Sequence, residues 1–408
     1  MNYKYYLDLE KKYGANDYNP LPVVLSKGKG VFLWDVDGNK YYDFLSAYSA
    51  VNQGHCHPRI VKVLKDQASK LTLTSRAFYN NKLGEYMEFV TKLFGYERLL
   101  PMNTGAEGVE TAIKIARKWG HTVKGIPNDL SKIVVCEGNF HGRTTTIISF
   151  SSDKGSKEFF GPHTKGFVTV PFDDLDALEK IFDQDVNIAG FLVEPIQGEA
   201  GVIVPKEGYL EGIRKLCSKY NILFIADEIQ TGIGRTGELL ATDYEDSKPD
   251  ILILGKALSG GTLPVSAVLC NSKIMNVIKP GQHGSTFGGN PLGSAIAKMA
   301  LEIILDEKLA ENAKKLGVIF REKIDEYIKS SDLISLVRGK GLLNAIVVKN
   351  MKRKGISAWN ICLKLKEKGL LAKPTHGNII RFAPPLIINE KELDHCIKII
   401  INTLMEFE

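Results

Sequence analysis

The 408-residue chain has no CxxC pair; its six cysteines, Cys56, Cys136, Cys217, Cys270, Cys362 and Cys396, lie far apart. Such scatter argues against a disulfide framework and suits a reducing compartment. No apolar run reaches the roughly 18 residues a membrane helix needs, so no membrane association is expected. Residues 1–10 include Asp8 and Glu10 and lack both an apolar signal core and an Arg-rich, acid-poor character. A cytoplasmic location is the expectation. No Walker loop is present and no GxGxxG follows a strand, which speaks against nucleotide or dinucleotide binding. Repeats and low-complexity linkers are absent as well. The formal charge of +6 is small for this length, and the bases are interspersed with acids, so a nucleic-acid partner is not expected. His55-Cys56-His57 has no further ligand cluster to complete a tetrahedral set, so it reads as a turn before Pro58 and no metal is expected.

The composition, 44% hydrophobic and 25% charged, is that of an ordinary globular protein. Gly30–Asp35 reads as a strand, and Asp37-Gly38-Asn39 after it is a hairpin signal. Ile60–Lys70, Leu83–Phe94 and the amphipathic Ala106–Trp119 read as helices. Short apolar runs then recur: Lys132–Cys136, Gly190–Glu194, Ile222–Ala226, Ile251–Leu254 and Val265–Leu269. Helical stretches such as Tyr209–Lys219 separate several of them. Continuous apolar strands between helices imply an α/β fold with a mostly parallel central sheet covered on both faces. Long helices over Pro291–Asp306 and Ala310–Ser330, then strands near Leu342–Val348 and Ile379–Pro384, suggest a smaller α+β domain. The expected boundaries are 1–50 for an N-terminal segment joined to the small domain, 51–295 for the large domain and 296–408 for the small domain.

Ligands of open α/β sheets bind beyond the carboxyl ends of the strands. Three such ends carry unusual residues: Asp227-Glu228, Gly255-Lys256 and Glu194-Pro195. A lysine and an acid at neighbouring strand ends suit pyridoxal 5'-phosphate (PLP). The amine bonds the cofactor aldehyde, and the carboxylate keeps the pyridine nitrogen protonated, which makes the ring an electron sink. Taken singly, Asp227 also reads as a helix cap or turn residue and Lys256 as a solvated loop residue. Asn103-Thr104-Gly105-Ala106 precedes the amphipathic helix, where free amides would receive a phosphate, or Thr104 is a plain N-cap. Ser285-Thr286, in the glycine-rich stretch 284–291, is a second phosphate candidate or a simple turn. Phe140 is placed to stack on a flat ring or to pack in the core. Arg143 fits a bidentate carboxylate contact or a surface ion pair. Arg381, inside the apolar Ile379–Ala383, must meet a carboxylate of the protein or of a substrate, because an unpaired buried charge is costly.

The runs Phe224–Gly232, Leu254–Gly261 and Val193–Gly201 resemble those of the class III PLP-dependent aminotransferases that act on ω-amines. Ser46–Pro58, Leu71–Tyr79 and Leu370–Gly377 extend the likeness, which spans Tyr18 to Pro385 and is greatest to the ornithine aminotransferases within that family. The resemblance implies PLP-dependent transferase fold type I and a homodimer with active sites at the subunit interface. It implies that Lys256 carries the cofactor and shuttles a proton, and that Asp227 pairs with the ring nitrogen. Gln230 would bond the ring hydroxyl, Gly105 and Ala106 the phosphate, and Thr286 the phosphate of the other subunit's site, with Phe140 over the ring. The implied reaction moves the δ-amine of ornithine to 2-oxoglutarate, with Tyr18, Tyr48, Arg143, Glu199 and Arg381 as substrate residues. N-acetylornithine and 4-aminobutyrate remain alternative amines. A racemase or aminomutase on the same fold, or a non-catalytic binding protein, is a more distant reading. His141 departs from the pattern, standing where many of the ornithine enzymes are expected to have tryptophan.

Overall fold

The computed structural model describes residues 3–349 and 356–408. Near the amino end, β1 (Leu25–Lys29), β2 (Phe32–Asp35) and β3 (Lys40–Asp43) form an antiparallel ribbon. The expected hairpin is its second turn. Asp35 closes it, its carboxylate accepting from the amides of Asp37 at 3.0 Å and Asn39 at 2.8 Å.

The central sheet contains β4 (Arg98–Met102), β5 (Lys132–Cys136), β6 (Phe167–Val170), β7 (Ile188–Val193), β8 (Leu223–Asp227), β9 (Ile251–Leu254) and β10 (Ser266–Cys270). Its order is β4-β10-β9-β8-β7-β5-β6, and only β10 runs against its neighbours. β7, β8 and β9 are buried along their whole length, as continuous apolar runs dictate for strands covered on both sides. Side chains alternate between two cores. Ile133, Val135, Leu192 and Ile225 pack with Val109, Ile113 and Ala116 of the Gly105–Trp119 helix. Val134, Phe191, Val193 and Phe224 pack with Leu210, Ile213 and Cys217 of the Tyr209–Lys219 helix. Gly108 lets the first of these helices lie close to the sheet, since a Cβ there would stand 2.9 Å from Ile253 Cγ2.

β4 and β6 have no counterpart among the expected strands. Both are edges of the sheet. β4 tolerates Pro101 because a proline's missing donor is harmless at an edge, and β6 is only half buried. Pro101 in one and the exposed Thr169 in the other break the apolar run.

The remaining strands are β11 (Ile334–Lys340), β12 (Leu343–Val348), β13 (Leu370–Leu371), β14 (Lys373–Thr375) and β15 (Ile379–Phe382). β11-β12-β15-β14 is an antiparallel sheet, while β13 pairs in parallel with β3 of the N-terminal ribbon. Arg235 ties these parts together. It is fully buried and donates to Asn52 Oδ1 (2.6 Å), Leu342 O (3.0 Å) and Pro384 O (2.6 Å). Among the described residues no helix is long and apolar enough to cross a membrane.

Candidate active site

β5, β7, β8 and β9 are parallel, so Cys136, Val193, Asp227 and Leu254 end at one edge of the sheet. β4 is antiparallel to β10, which is antiparallel to β9, so Met102 ends there too. The residues that follow these ends converge. Gly105, Ala106, Phe140, Asp227, Gln230 and Lys256 line one cavity of about 200 Å³, together with His141, Gly142, Glu194, Ile196, Ile229 and Thr231.

The Gly105–Trp119 helix begins with a capping box. Thr104 Oγ1 accepts from the Glu107 amide at 3.2 Å, and Glu107 Oε2 accepts from the Thr104 amide at 3.1 Å and the Asn103 amide at 2.8 Å. The amides of Gly105 and Ala106 belong to the first turn, which has no intrahelical acceptor. They are therefore the donors left for an anion, with the helix dipole behind them.

Asp227 is 4% exposed. Its Oδ2 lies 2.6 Å from His141 Nδ1, and its Oδ1 accepts from the Ile229 amide at 3.1 Å. Burial works against protonation of His141, but the hydrogen bond and charge of Asp227 outweigh it and hold the ring above the ordinary imidazole value. Glu194, whose carboxylate accepts from the Phe140 amide at 2.9 Å, is pushed up by burial to about 7. Burial lowers the Lys256 amine to about 8; Glu199 acts in the opposite direction and Arg381 in the same one. A neutral amine is the nucleophilic form.

A second cavity, about 510 Å³, shares Phe140, His141 and Gly142 with the first and adds Arg143, Glu199, Thr375 and His376. Arg381 is 3% exposed. Its Nη1 donates to Glu199 Oε1 at 2.8 Å and to Gln230 Oε1 at 3.2 Å. Burial alone would raise the Glu199 carboxyl, but Arg381 and Lys256 draw it down to about 2. Gln230 Nε2 also donates to Glu199 Oε1, at 3.0 Å, so the amide expected to face the ring hydroxyl is engaged by this pair. Gly198 is required here, because a Cβ would stand 1.8 Å from Gln230 Oε1.

Tyr48 lies under Arg381, its ring 4.9 Å from the guanidinium carbon. Tyr18 is 68% exposed and stands beside Lys373. Thr286 lines neither cavity; it is exposed, next to Ser285, whose Oγ accepts from Asn103 Nδ2 at 2.8 Å. The two histidines of the His55-Cys56-His57 run diverge, to Asp43 at 2.7 Å and to Glu307 at 3.0 Å. His141, Glu194 and Thr375 line these cavities but are absent from the expected set, as is Lys373, which stands beside Tyr48. The strand end at Val193 signals Glu194, and the neighbouring Phe140 signals His141, but neither signal carries a role.

The set fits PLP by its chemistry: an amine, a buried carboxylate and free helix-start amides share one small cavity. A family model described as aminotransferase class-III matches residues 13–404. The mitochondrial ornithine aminotransferase of Drosophila melanogaster is 61% identical over 396 residues, 97% of this chain and 90% of the relative. A solved structure of acetylornithine aminotransferase from Elizabethkingia anophelis superposes with a TM-score of 0.91 at 59% identity and covers 100% of both chains. The ornithine aminotransferase of Toxoplasma gondii, solved with partial occupancy of PLP at its active site, gives a TM-score of 0.97 at 48% identity, with 99% of this chain and 94% of that one covered.

Proposed function

This chain belongs to the class III aminotransferase family, and we propose that it transfers the δ-amine of L-ornithine to 2-oxoglutarate, giving glutamate 5-semialdehyde and glutamate. The observation that carries this reading is the Arg381–Glu199 pair at 2.8 Å beside a cavity that holds both Lys256 and Asp227. Bound there, PLP supplies an aldehyde for the lysine and a protonated ring that draws electrons from the substrate carbon.

The chain's own residues do the rest. Lys256 holds the cofactor and moves the proton at the substrate carbon. Asp227, steadied by His141, keeps the ring nitrogen charged. Gly105 and Ala106 would donate to the phosphate, Phe140 would cover the ring, and the second Nε2 hydrogen of Gln230 would be left for the ring hydroxyl. Arg143 and Tyr18 hold the ornithine carboxylate, and Tyr48 helps position the substrate. Glu199 occupies Arg381 while ornithine reacts, so that arginine does not capture an α-carboxylate. A carboxylate of 2-oxoglutarate then takes the place of Glu199, and Arg143 meets the other one. Selectivity becomes a competition of carboxylates for one guanidinium.

We read residues 51–295 as the cofactor-binding domain, with 1–50 and 296–408 forming the small domain. The working unit is a homodimer in which Thr286 reaches the neighbouring subunit's phosphate; sedimentation at twice 45.2 kDa tests this. The free cysteines suit a reducing compartment, and we place the protein in the cytoplasm. The Drosophila relative is mitochondrial, and immunolocalisation separates the two.

The purified PLP-loaded protein is expected to consume ornithine faster than N-acetylornithine or 4-aminobutyrate with 2-oxoglutarate as acceptor. A higher kcat/KM for N-acetylornithine would favour the second reading, to which the 59% identity with the Elizabethkingia enzyme lends weight. Lys256→Ala should abolish turnover, and borohydride should fix a pyridoxyl group on Lys256 of the unmodified protein. Wild-type turnover in the variant would remove the assignment.

A further inference from the structure

Lys373 and Arg381 stand directly opposite each other on β14 and β15. Opposed residues of paired strands project to the same face, and like charges so placed are destabilising unless anions compensate. Arg381 has Glu199. Lys373 forms no ion pair with a carboxylate of the described residues. Its contacts are Tyr48 Oη, 3.4 Å from Nζ, and the Tyr18 ring, whose centroid lies 5.6 Å away. Thr375, two residues along the same face of β14, lines the cavity that contains Arg143 and Glu199. Lys373 is therefore a half-buried cation beside the two tyrosines assigned to the amine substrate.

A lysine ammonium has only donors, so Tyr48 Oη must accept. The phenol's own hydrogen then has to point elsewhere. Tyr48 has little freedom to evade this. Ser46, Ala47, Tyr48 and Ser49 all have positive φ, at 50°, 47°, 60° and 72°. Such a left-handed turn is rare for side-chain-bearing residues and persists only where the surroundings enforce it. The Arg381 guanidinium covers the ring. With the ring held and one lone pair taken by Lys373, the hydroxyl is set to donate to an incoming acceptor.

We propose that Lys373 is a positioning residue for the carboxylate of the amine substrate: by donating to Tyr48 Oη it presents the Tyr48 hydroxyl as a donor to that carboxylate. The inference rests on the proposed assignment of Tyr48 to the amine substrate. It extends that assignment by naming what fixes the direction of the hydroxyl, and it explains why a second cation is kept opposite Arg381.

The test compares Lys373→Met and Lys373→Arg in the PLP-loaded protein, with ornithine and with 1,4-diaminobutane, which is ornithine without its carboxylate. Lys373→Met should raise the KM for ornithine about tenfold, the scale of one hydrogen bond to a charged group. Its kcat, and kcat/KM for the diamine, should change less than about threefold, and Lys373→Arg should restore most of the loss. Pentanoate, a carboxylate with no amine, should bind about tenfold more weakly to Lys373→Met by calorimetry. In a Tyr48→Phe background, Lys373→Met should add no further loss. Equal losses on ornithine and diamine, or unchanged pentanoate binding, would overturn the proposal. Should the wild-type protein fail to use ornithine, the proposed function falls, and pentanoate binding with and without Tyr48 Oη still decides the role of Lys373.

Discussion

Glu199 illustrates how a single side chain takes its charge from its neighbours. Its carboxyl is drawn from 4.5 to about 2, burial being outweighed by Arg381 and Lys256. A carboxyl with a depressed folded value contributes stability that is full above its unfolded value and is lost as pH falls toward the folded one. The pair is therefore intact at neutral pH and weakens between about pH 4.5 and 2. Glu199→Ala should leave Arg381 open to α-carboxylates, raising kcat/KM for glutamate relative to ornithine by about tenfold or more. An unchanged ratio would count against the exchange of carboxylates. Lys256 carries the opposite sign. Its amine, lowered to about 8, is increasingly neutral as pH rises to that value. Capture of PLP by the cofactor-free protein should thus accelerate from pH 6 through 8 and level off only about one unit higher, as stopped-flow absorbance would record. At this scale Lys256 and Asp227 are legible in the sequence, because each stands at or just beyond the end of an apolar strand. The partnership of His141 with Asp227 is not, because it depends on how the loop after β5 folds back. Lys373 is hidden for a similar reason, since its meaning comes from cross-strand register with Arg381.

Among the elements, the Gly105–Trp119 helix has its amphipathic pattern and its cap written in consecutive residues. Reading Thr104 as an N-cap and reading the helix start as an anion site turn out to be compatible. The cap consumes the Glu107, Thr104 and Asn103 amides and leaves those of Gly105 and Ala106. Thr104→Ala should cost about 1 kcal/mol of stability and weaken PLP binding severalfold, measured by urea unfolding and by cofactor titration. A variant with full stability and full affinity would show that the cap does not matter to the cradle. The edge strands are the opposite case. β4 is interrupted by Pro101 and β6 by the exposed Thr169, so neither shows the unbroken apolar run that marks β7 or β9. The reversed direction of β10 is likewise invisible locally, since strand direction is decided by the connection and not by composition.

For the molecule as a whole, Arg235 is the residue that joins its parts. Burial lowers its guanidinium to about 9, and its partners are neutral oxygens from Asn52, Leu342 and Pro384. Arg235→Met should remove about 3 kcal/mol, the sum of several unsatisfied buried acceptors, seen as a lower denaturant midpoint. The α/β class and the mostly parallel sheet follow from apolar strands alternating with helices, and so are readable from residue order alone. The pairing of β3 with β13 is not, because its partners are separated by more than three hundred residues. That pairing has a mechanical consequence. Leu370 and Leu371 are held by Tyr42 and Asp43, and only Ala372 separates them from Lys373. Any rocking of the amino-terminal ribbon is passed to Lys373, and so to Tyr48 beside it, through a single residue.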